Sequence, residues 1–205
     1  MIFLVRGYGV ELYNLNGTFI KNLELNTKYP LSYVTTVFQD KTILAGTSIG
    51  NVVAAPIEKP LSRKWIEGGE SKNVIVSVSK NDSDNSVLML GRKGIVWLWR
   101  ANNTYVHDIP HKAKVTSAMF SPHDDHFFLT TGDDGYAKIW SAEDKKVKLT
   151  AEFKHESNNV EYGAFSSDGK NLLTITNDGY AFLWNIAEKK LKEVINIIER
   201  DDQQQ

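Results

Sequence analysis

The 205-residue chain contains no cysteine. Disulfide frameworks and thiolate metal centres are therefore excluded, and with them the small secreted scaffolds that depend on either. It also has almost no net charge, −1 from 24 basic and 25 acidic side chains. A phosphate backbone selects clustered Lys and Arg, so nucleic acid is an unpromising partner. Long apolar runs are missing too. None approaches the ~18 residues of a membrane helix. The opening stretch Met1–Val5 ends at Arg6, well short of the roughly 7–15 apolar residues of a secretory leader. The expectation from these absences is a soluble protein of a reducing, cytoplasmic compartment. What is present is core material, 41% hydrophobic and 11% aromatic residues. That is more than a disordered chain carries, at a length that suits a single all-β domain.

The organising feature is a repeat. Val115–Trp140 aligns with Val160–Trp184, and the two closing tryptophans are 44 residues apart. A third copy ends Gly94-Ile-Val-Trp-Leu-Trp99, 41 residues before Trp140. Gly50-Asn-Val-Val-Ala-Ala55 and Gly9-Val-Glu-Leu-Tyr13 stand about one period earlier each. A period of about 40–45 residues is that of a four-stranded propeller blade. The fourth copy reads as strands at 115–121, 127–131, 136–140 and 147–153, rich in β-branched and aromatic residues. Asp-Gly pairs at 134–135 and 178–179 mark tight turns that need a positive φ. The only segment with any helical alternative is 187–200, whose apolar residues fit a last strand nearly as well.

These residues resemble the WD-repeat β-propeller family. Unit four supplies His111, Thr130, Asp134 and Trp140; unit five supplies His155, Thr174, Asp178 and Trp184. The family's Gly before the His is replaced by Pro110 and Lys154, and the Asp after the Trp by Ser141 and Asn185. The resemblance implies a hydrogen-bonded chain within each blade: indole donating to hydroxyl, hydroxyl to imidazole, imidazole to the turn carboxylate. Such a network is structural, although its residues look like a catalytic triad. Unit three departs from the pattern with Met89 and Lys93 at the hydroxyl and Asp positions, and unit two with Ile49 and Ala55 at the Asp and Trp positions.

The expected architecture is all-β: five blades of four antiparallel strands, the first lacking its inner strand. The unit boundaries fall near 1–27, 28–70, 71–112, 113–156 and 157–197, followed by a frayed polar tail at 198–205. Five units are fewer than the family's usual seven. Three readings stay open: a piece of a longer chain, a propeller completed by another protein or a second copy, and an unusual small or open propeller. Closure matters because it removes exposed strand edges.

Other motifs have plainer explanations. Gly46-Thr-Ser-Ile-Gly50 matches a nucleophile elbow in spelling, but a strand follows it where that motif needs a helix. His123-Asp-Asp-His126, Asp133-Asp134 and Asp82-Ser-Asp84 read as polar turns. Lys189, Lys190 and Lys192 form a short basic cluster flanked by Glu188 and Glu193, a solvated face. No metal and no cofactor is expected. Trp97 or Trp99 should pack between blades, and Trp65 is the candidate exposed aromatic.

The resemblance implies a scaffold that recognises other proteins, and not an enzyme. The loop positions beside the network are the candidate contacts: Arg92 in unit three, Lys114, Thr116 and Asp133 in unit four, and Asn159, Glu161 and Asn177 in unit five. An alternative is the C-terminal sensor portion of a larger signalling or nucleotide-hydrolysing protein. No P-loop occurs in these residues. A propeller hydrolase is the least supported reading.

Overall fold

The structure is a computed structural model that describes residues 1–37, 41–62, 64–66, 73–81, 83, 86–100, 103–111, 113–143, 146–156 and 159–198. The Asp82 and Asp84 turn and the polar tail beyond 198 lie outside the described residues. Among those described, 19 strands form five antiparallel sheets, each a meander of consecutive strands. Sheet one holds β1 (Ile2–Arg6), β2 (Gly9–Tyr13) and β3 (Phe19–Glu24). Sheet two holds β4 (Leu31–Val37), β5 (Thr42–Thr47), β6 (Val52–Pro56) and β7 (Lys64–Ile66). Sheet three holds β8 (Ile75–Asn81), β9 (Ser86–Gly91), β10 (Val96–Arg100) and β11 (Asn103–Asp108). Sheet four holds β12 (Val115–Phe120), β13 (Phe127–Gly132), β14 (Tyr136–Ser141) and β15 (Lys148–Lys154). Sheet five holds β16 (Val160–Phe165), β17 (Asn171–Thr176), β18 (Tyr180–Asn185) and β19 (Lys190–Asn196). The chain divides into two compact bodies, Met1–Ile109 with sheets one to three and Pro110–Gln205 with sheets four and five.

The repeated chemistry produces repeated backbone. In sheets two to five the turn between the second and third strands ends on a glycine in the left-handed region: Gly50, Gly94, Gly135 and Gly179, with φ of 93°, 78°, 79° and 84°. In three of these turns the glycine N–H closes back three residues, as Gly94 does to Gly91 at 2.8 Å. This is the bulge-type hairpin that favours glycine at its last position. The first strand of each four-stranded sheet carries a register shift at the same place, between Leu31/Tyr33, Ile75/Ser77, Val115/Ser117 and Val160/Tyr162.

Within each body, consecutive sheets pack face to face. In the first body, Val10, Leu23 and Leu25 of sheet one and the loop after it cluster with Ile43, Ala45, Val53 and Ala55 of sheet two. Leu44, Val52 and Ala54, on the other face of sheet two, cluster with Val87, Met89, Trp97 and Trp99 of sheet three. Both tryptophans of the Trp-Leu-Trp run are thus core residues. In the second body, Leu129, Ala137, Ile139, Ala151 and Phe153 of sheet four pack on Leu172 and Trp184 of sheet five. A strand buried on both faces reads as a continuous apolar run. That is why β9, Ser-Val-Leu-Met-Leu-Gly, is buried at every position.

The segment that could have been a helix is strand β19. Its backbone pairs with β18, setting Leu191 opposite Trp184 and Val194 opposite Phe182. Trp65 lies on β7 and is exposed. Among the described residues no helix is long and apolar enough to cross a membrane.

Candidate functional site

In sheet five the polar residues form a continuous chain. Thr174 on β17 is fully buried, with its hydroxyl between two partners. The Trp184 indole N–H donates to Thr174 Oγ1 at 3.0 Å. His155 Nε2 lies 2.7 Å from the same oxygen. His155 Nδ1 faces the Gly135 carbonyl at 3.2 Å. A carbonyl can only accept, so Nδ1 carries the proton and Nε2 accepts from the Thr174 hydroxyl. The order is indole, hydroxyl, imidazole, carbonyl, and it ties sheet five to the turn of sheet four. The imidazole is also clamped between rings, 5.1 Å from Trp184 and 4.9 Å from Phe182, both edge-on.

The carboxylate end of the expected chain is not made. Asp178 does not bond His155; its Oδ1 takes the Thr176 hydroxyl at 2.5 Å. In sheet four Trp140 donates to Thr130 Oγ1 at 2.7 Å, but His111 stands apart. Its side chain is 1% exposed, and its Nδ1 is 3.9 Å from Asp134 Oδ2. Among the described residues neither ring nitrogen has a partner in good hydrogen-bond geometry. Asp134 is occupied instead by the buried Lys138 ammonium at 3.1 Å and by the Tyr136 N–H at 3.2 Å. Local sequence explains the difference. Sheet four has Gly132 and Lys138 where sheet five has Thr176 and Phe182. The carboxylate therefore meets a cation in one sheet and a hydroxyl in the other. The indole–hydroxyl link is present in both sheets, the imidazole–hydroxyl link in sheet five, and the imidazole–carboxylate hydrogen bond in neither.

Sheet three makes its own substitute, which sequence reading missed. Asn73, wholly buried, lies over Gly91, where an added Cβ would fall 2.3 Å from the amide. Its Oδ1 accepts the Lys93 N–H at 2.8 Å. Gly132 plays the same part beneath His111, whose Cε1 would be 2.6 Å from a Cβ there. In both sheets a glycine at the end of the second strand makes room for a polar side chain folded over the turn. A Gly at the turn's first position was the available signal.

Burial pushes the pKa of both network histidines down. For His111 the Lys138 ammonium adds to burial, while Asp134 pulls the other way; for His155 the Gly135 carbonyl opposes burial. Both are neutral in the folded chain at pH 7. As pH falls below the ordinary histidine range near 6.5, the unfolded chain takes up protons that the folded chain refuses. Stability present above that range is therefore lost as pH drops through it towards the lowered folded values. The urea midpoint is expected to fall between pH 7.5 and 5.5, and His155→Gln should flatten that slope. A midpoint independent of pH over this window contradicts the neutral buried assignment.

The seven candidate contact residues fall at one end of their own sheets, where first strands begin and second strands turn. Backbone bonds fix the geometry there. The Asp133 N–H donates to the Lys114 carbonyl at 3.1 Å, that of Asn177 to Asn159 at 3.2 Å, and that of Arg92 to Val74 at 2.8 Å. Asp133 Oδ1 also accepts the Lys114 N–H at 3.1 Å, and Asn159 Nδ2 donates to Glu161 Oε1 at 3.0 Å. Arg92, Lys114, Asp133, Glu161 and Asn177 are exposed. Thr116 is committed elsewhere: its hydroxyl lies 2.8 Å from that of Thr131 and donates to the Val160 carbonyl, joining sheet four to sheet five. Ser48 lies in the β5–β6 hairpin, and strand β6 follows it directly. His126 Nδ1 meets Asp124 Oδ1 at 3.1 Å in an exposed turn. Among the described residues no three His, Asp or Glu side chains converge as a metal site.

Comparison with known proteins agrees with this geometry. The family model described as "WD domain, G-beta repeat" matches residues 103–141. WD repeat-containing protein 44 of Xenopus laevis is 34% identical over 59 residues, 29% of this chain and 6% of that protein. The β-propeller domain of Myceliophteria thermophila Cps50 (Swd1) superposes with a TM-score of 0.67 at 16% identity, over 84% of this chain and 57% of that one. The chain thus spans a small part of the curated relative and little more than half of the solved domain. A WD repeat is thus matched at residues 103–141, within a chain that has the fold of a β-propeller domain.

Proposed function

We propose that this protein is a non-catalytic recognition platform that holds partner proteins in a multiprotein complex, and that it works inside the cell. WD-repeat propellers generally mediate protein–protein interaction, which supports the broad reading. The observation that carries the finer one is a division of labour among polar side chains. The network side chains are turned inward and spent on one another: Thr130 with Trp140, and Thr174 with His155 and Trp184, are all buried. Those at the turn ends, Arg92, Lys114, Asp133, Glu161 and Asn177, face solvent from backbone held by paired hydrogen bonds. A side chain on a preorganised turn loses little freedom on binding, which lowers the cost of association. The mixed signs of these five residues favour a partner surface that is itself polar and mixed. The cysteine-free composition supports a reducing compartment.

The test is affinity capture with the wild-type chain and with Asp133→Lys at matched folding. The charge reversal keeps the Asp133 N–H bond to Lys114 and replaces the carboxylate acceptor of the exposed turn with a cation. Retention of captured protein is expected to fall about tenfold, as loss of one well-placed polar contact costs roughly 1–2 kcal/mol. An unchanged set of captured proteins at unchanged affinity contradicts the placement of the site.

A further inference from the structure

Between sheets four and five the packing is close at one end and open at the other. On β15, Phe153 fills the space between the sheets, its ring centroid 5.5 Å from that of Trp184. Ala151 lies two residues away on the same strand, and so on the same face. It is too small to fill the space as Phe153 does. Its partner across the strands is Ile139. Sheet five answers with residues that are equally small, Gly169 and Ala187. The result is a cleft of about 410 Å³, lined by Phe127 and Ile139 of sheet four and by Phe165 and Ile186 of sheet five. It lies at the end of these sheets away from the turns that carry Asp133 and Asn177. Phe127, Phe165 and Ile186 are only half-buried, so aromatic and aliphatic surface stays open there. A cleft of this size sits at the lower end of the range that takes a ligand group.

The lips of the cleft are held by contacts between the two sheets. His123, in the β12–β13 loop, lies over Gly169, where an added Cβ would fall 2.9 Å from the His123 Cβ. Lys189, in the β18–β19 turn with φ of 53°, reaches back and donates to the Thr150 carbonyl of β15 at 3.2 Å. The cleft is therefore framed before anything enters it, which lowers the cost of binding. Its charges are not balanced. The carboxylate on the rim, Asp124, is matched by His126, whose N–H and Nδ1 lie 3.0 and 3.1 Å from Asp124 Oδ1. Among the described residues the Lys189 ammonium has only the neutral Thr150 carbonyl. An apolar floor with an unmatched cation on its lip selects an apolar side chain that has a carboxylate beside it. We infer that this cleft takes an extended acidic segment of a partner protein. One large apolar side chain of that segment seats on Phe127, Phe165 and Ile186, and the adjoining carboxylate pairs with Lys189. This is a second recognition site, distinct from the turns that carry Asp133.

Fluorescence polarisation with three short labelled peptides tests this. Each is a glycine–serine sequence with one central pair, Phe-Glu, Phe-Lys or Ala-Glu. The wild-type chain is expected to bind the Phe-Glu peptide about tenfold tighter than either of the others. Lys189→Glu should reverse the order of the Phe-Glu and Phe-Lys peptides. Ala187→Trp, which fills the cleft from its rim, should weaken both. Lys189 and Ala187 are exposed, so both variants are expected to keep the circular dichroism of the wild type. If Ala187→Trp misfolds, Ala187→Leu carries the same comparison. Equal affinity for the Phe-Glu and Ala-Glu peptides overturns the inference, as does the absence of binding by all three. A preference for glutamate that survives Lys189→Glu overturns it too. Uptake of free indole with indifference to peptide sequence would make the cleft a small-molecule pocket, and so also contradicts it. Asp133→Lys should leave peptide binding unchanged, which separates this outcome from that of partner capture at the turns.

Discussion

Replacing Thr174 with valine is expected to lower the unfolding free energy by about 2–4 kcal/mol, more than the same change at Thr130. The two threonines occupy equivalent places and are both wholly buried, and valine preserves their shape. Thr174 Oγ1 has two partners, the Trp184 indole at 3.0 Å and His155 Nε2 at 2.7 Å, and among the described residues Thr130 is joined to Trp140 alone, at 2.7 Å. Losing the hydroxyl strands a buried N–H donor in each case, and in sheet five a buried imidazole nitrogen as well. An unsatisfied buried group costs roughly 1–3 kcal/mol. Thr130→Val should therefore cost about 1–2 kcal/mol, and the ranking of the two urea midpoints checks the account. Equal midpoints would mean that the imidazole is not part of the chain.

Phe153→Ala is expected to be the most damaging single truncation in the second body, at about 3–5 kcal/mol. Phe153 on β15 is 1% exposed and its ring centroid lies 5.5 Å from that of Trp184. It fills the space between sheets four and five, where Leu129, Ile139 and Leu172 also meet. No neighbouring backbone can collapse into the gap without breaking strand pairing on both sides. Ile195→Ala, at the corresponding place on the uncovered face, should change the midpoint by no more than about 0.5 kcal/mol. Comparable losses at both positions would contradict the stacking order of the two sheets.

Much of this was legible in the sequence, for a physical reason. The spacing of tryptophans and turn glycines fixes backbone that only a few residue types tolerate, so the period survived even where motifs did not. Gly50 keeps its left-handed φ of 93° in a unit that has lost both Asp and Trp. The indole–hydroxyl pairs followed from residue type alone, since an indole N–H can only donate. The fate of each turn carboxylate did not follow. It depends on which side chains share its surroundings, Lys138 for Asp134 and Thr176 for Asp178, and the repeat pattern leaves those positions free. Asn73 was invisible for a related reason. An asparagine before a strand is ordinary in sequence, and Gly91 by itself does not say which side chain folds into the space it leaves. Thr116 was a reasonable surface candidate by position, but the register shift beside it turns its hydroxyl to Thr131 and Val160.

The central claim is that inward polar residues hold the blades while outward turn residues bind partners. The most direct measurement sets Asp133→Lys beside Thr174→Val and records partner capture and urea midpoint for both. The account predicts a crossed result: Asp133→Lys loses capture at an unchanged midpoint, and Thr174→Val loses midpoint but, at a temperature where it remains folded, keeps capture. Loss of capture by folded Thr174→Val, with full capture by Asp133→Lys, would contradict it.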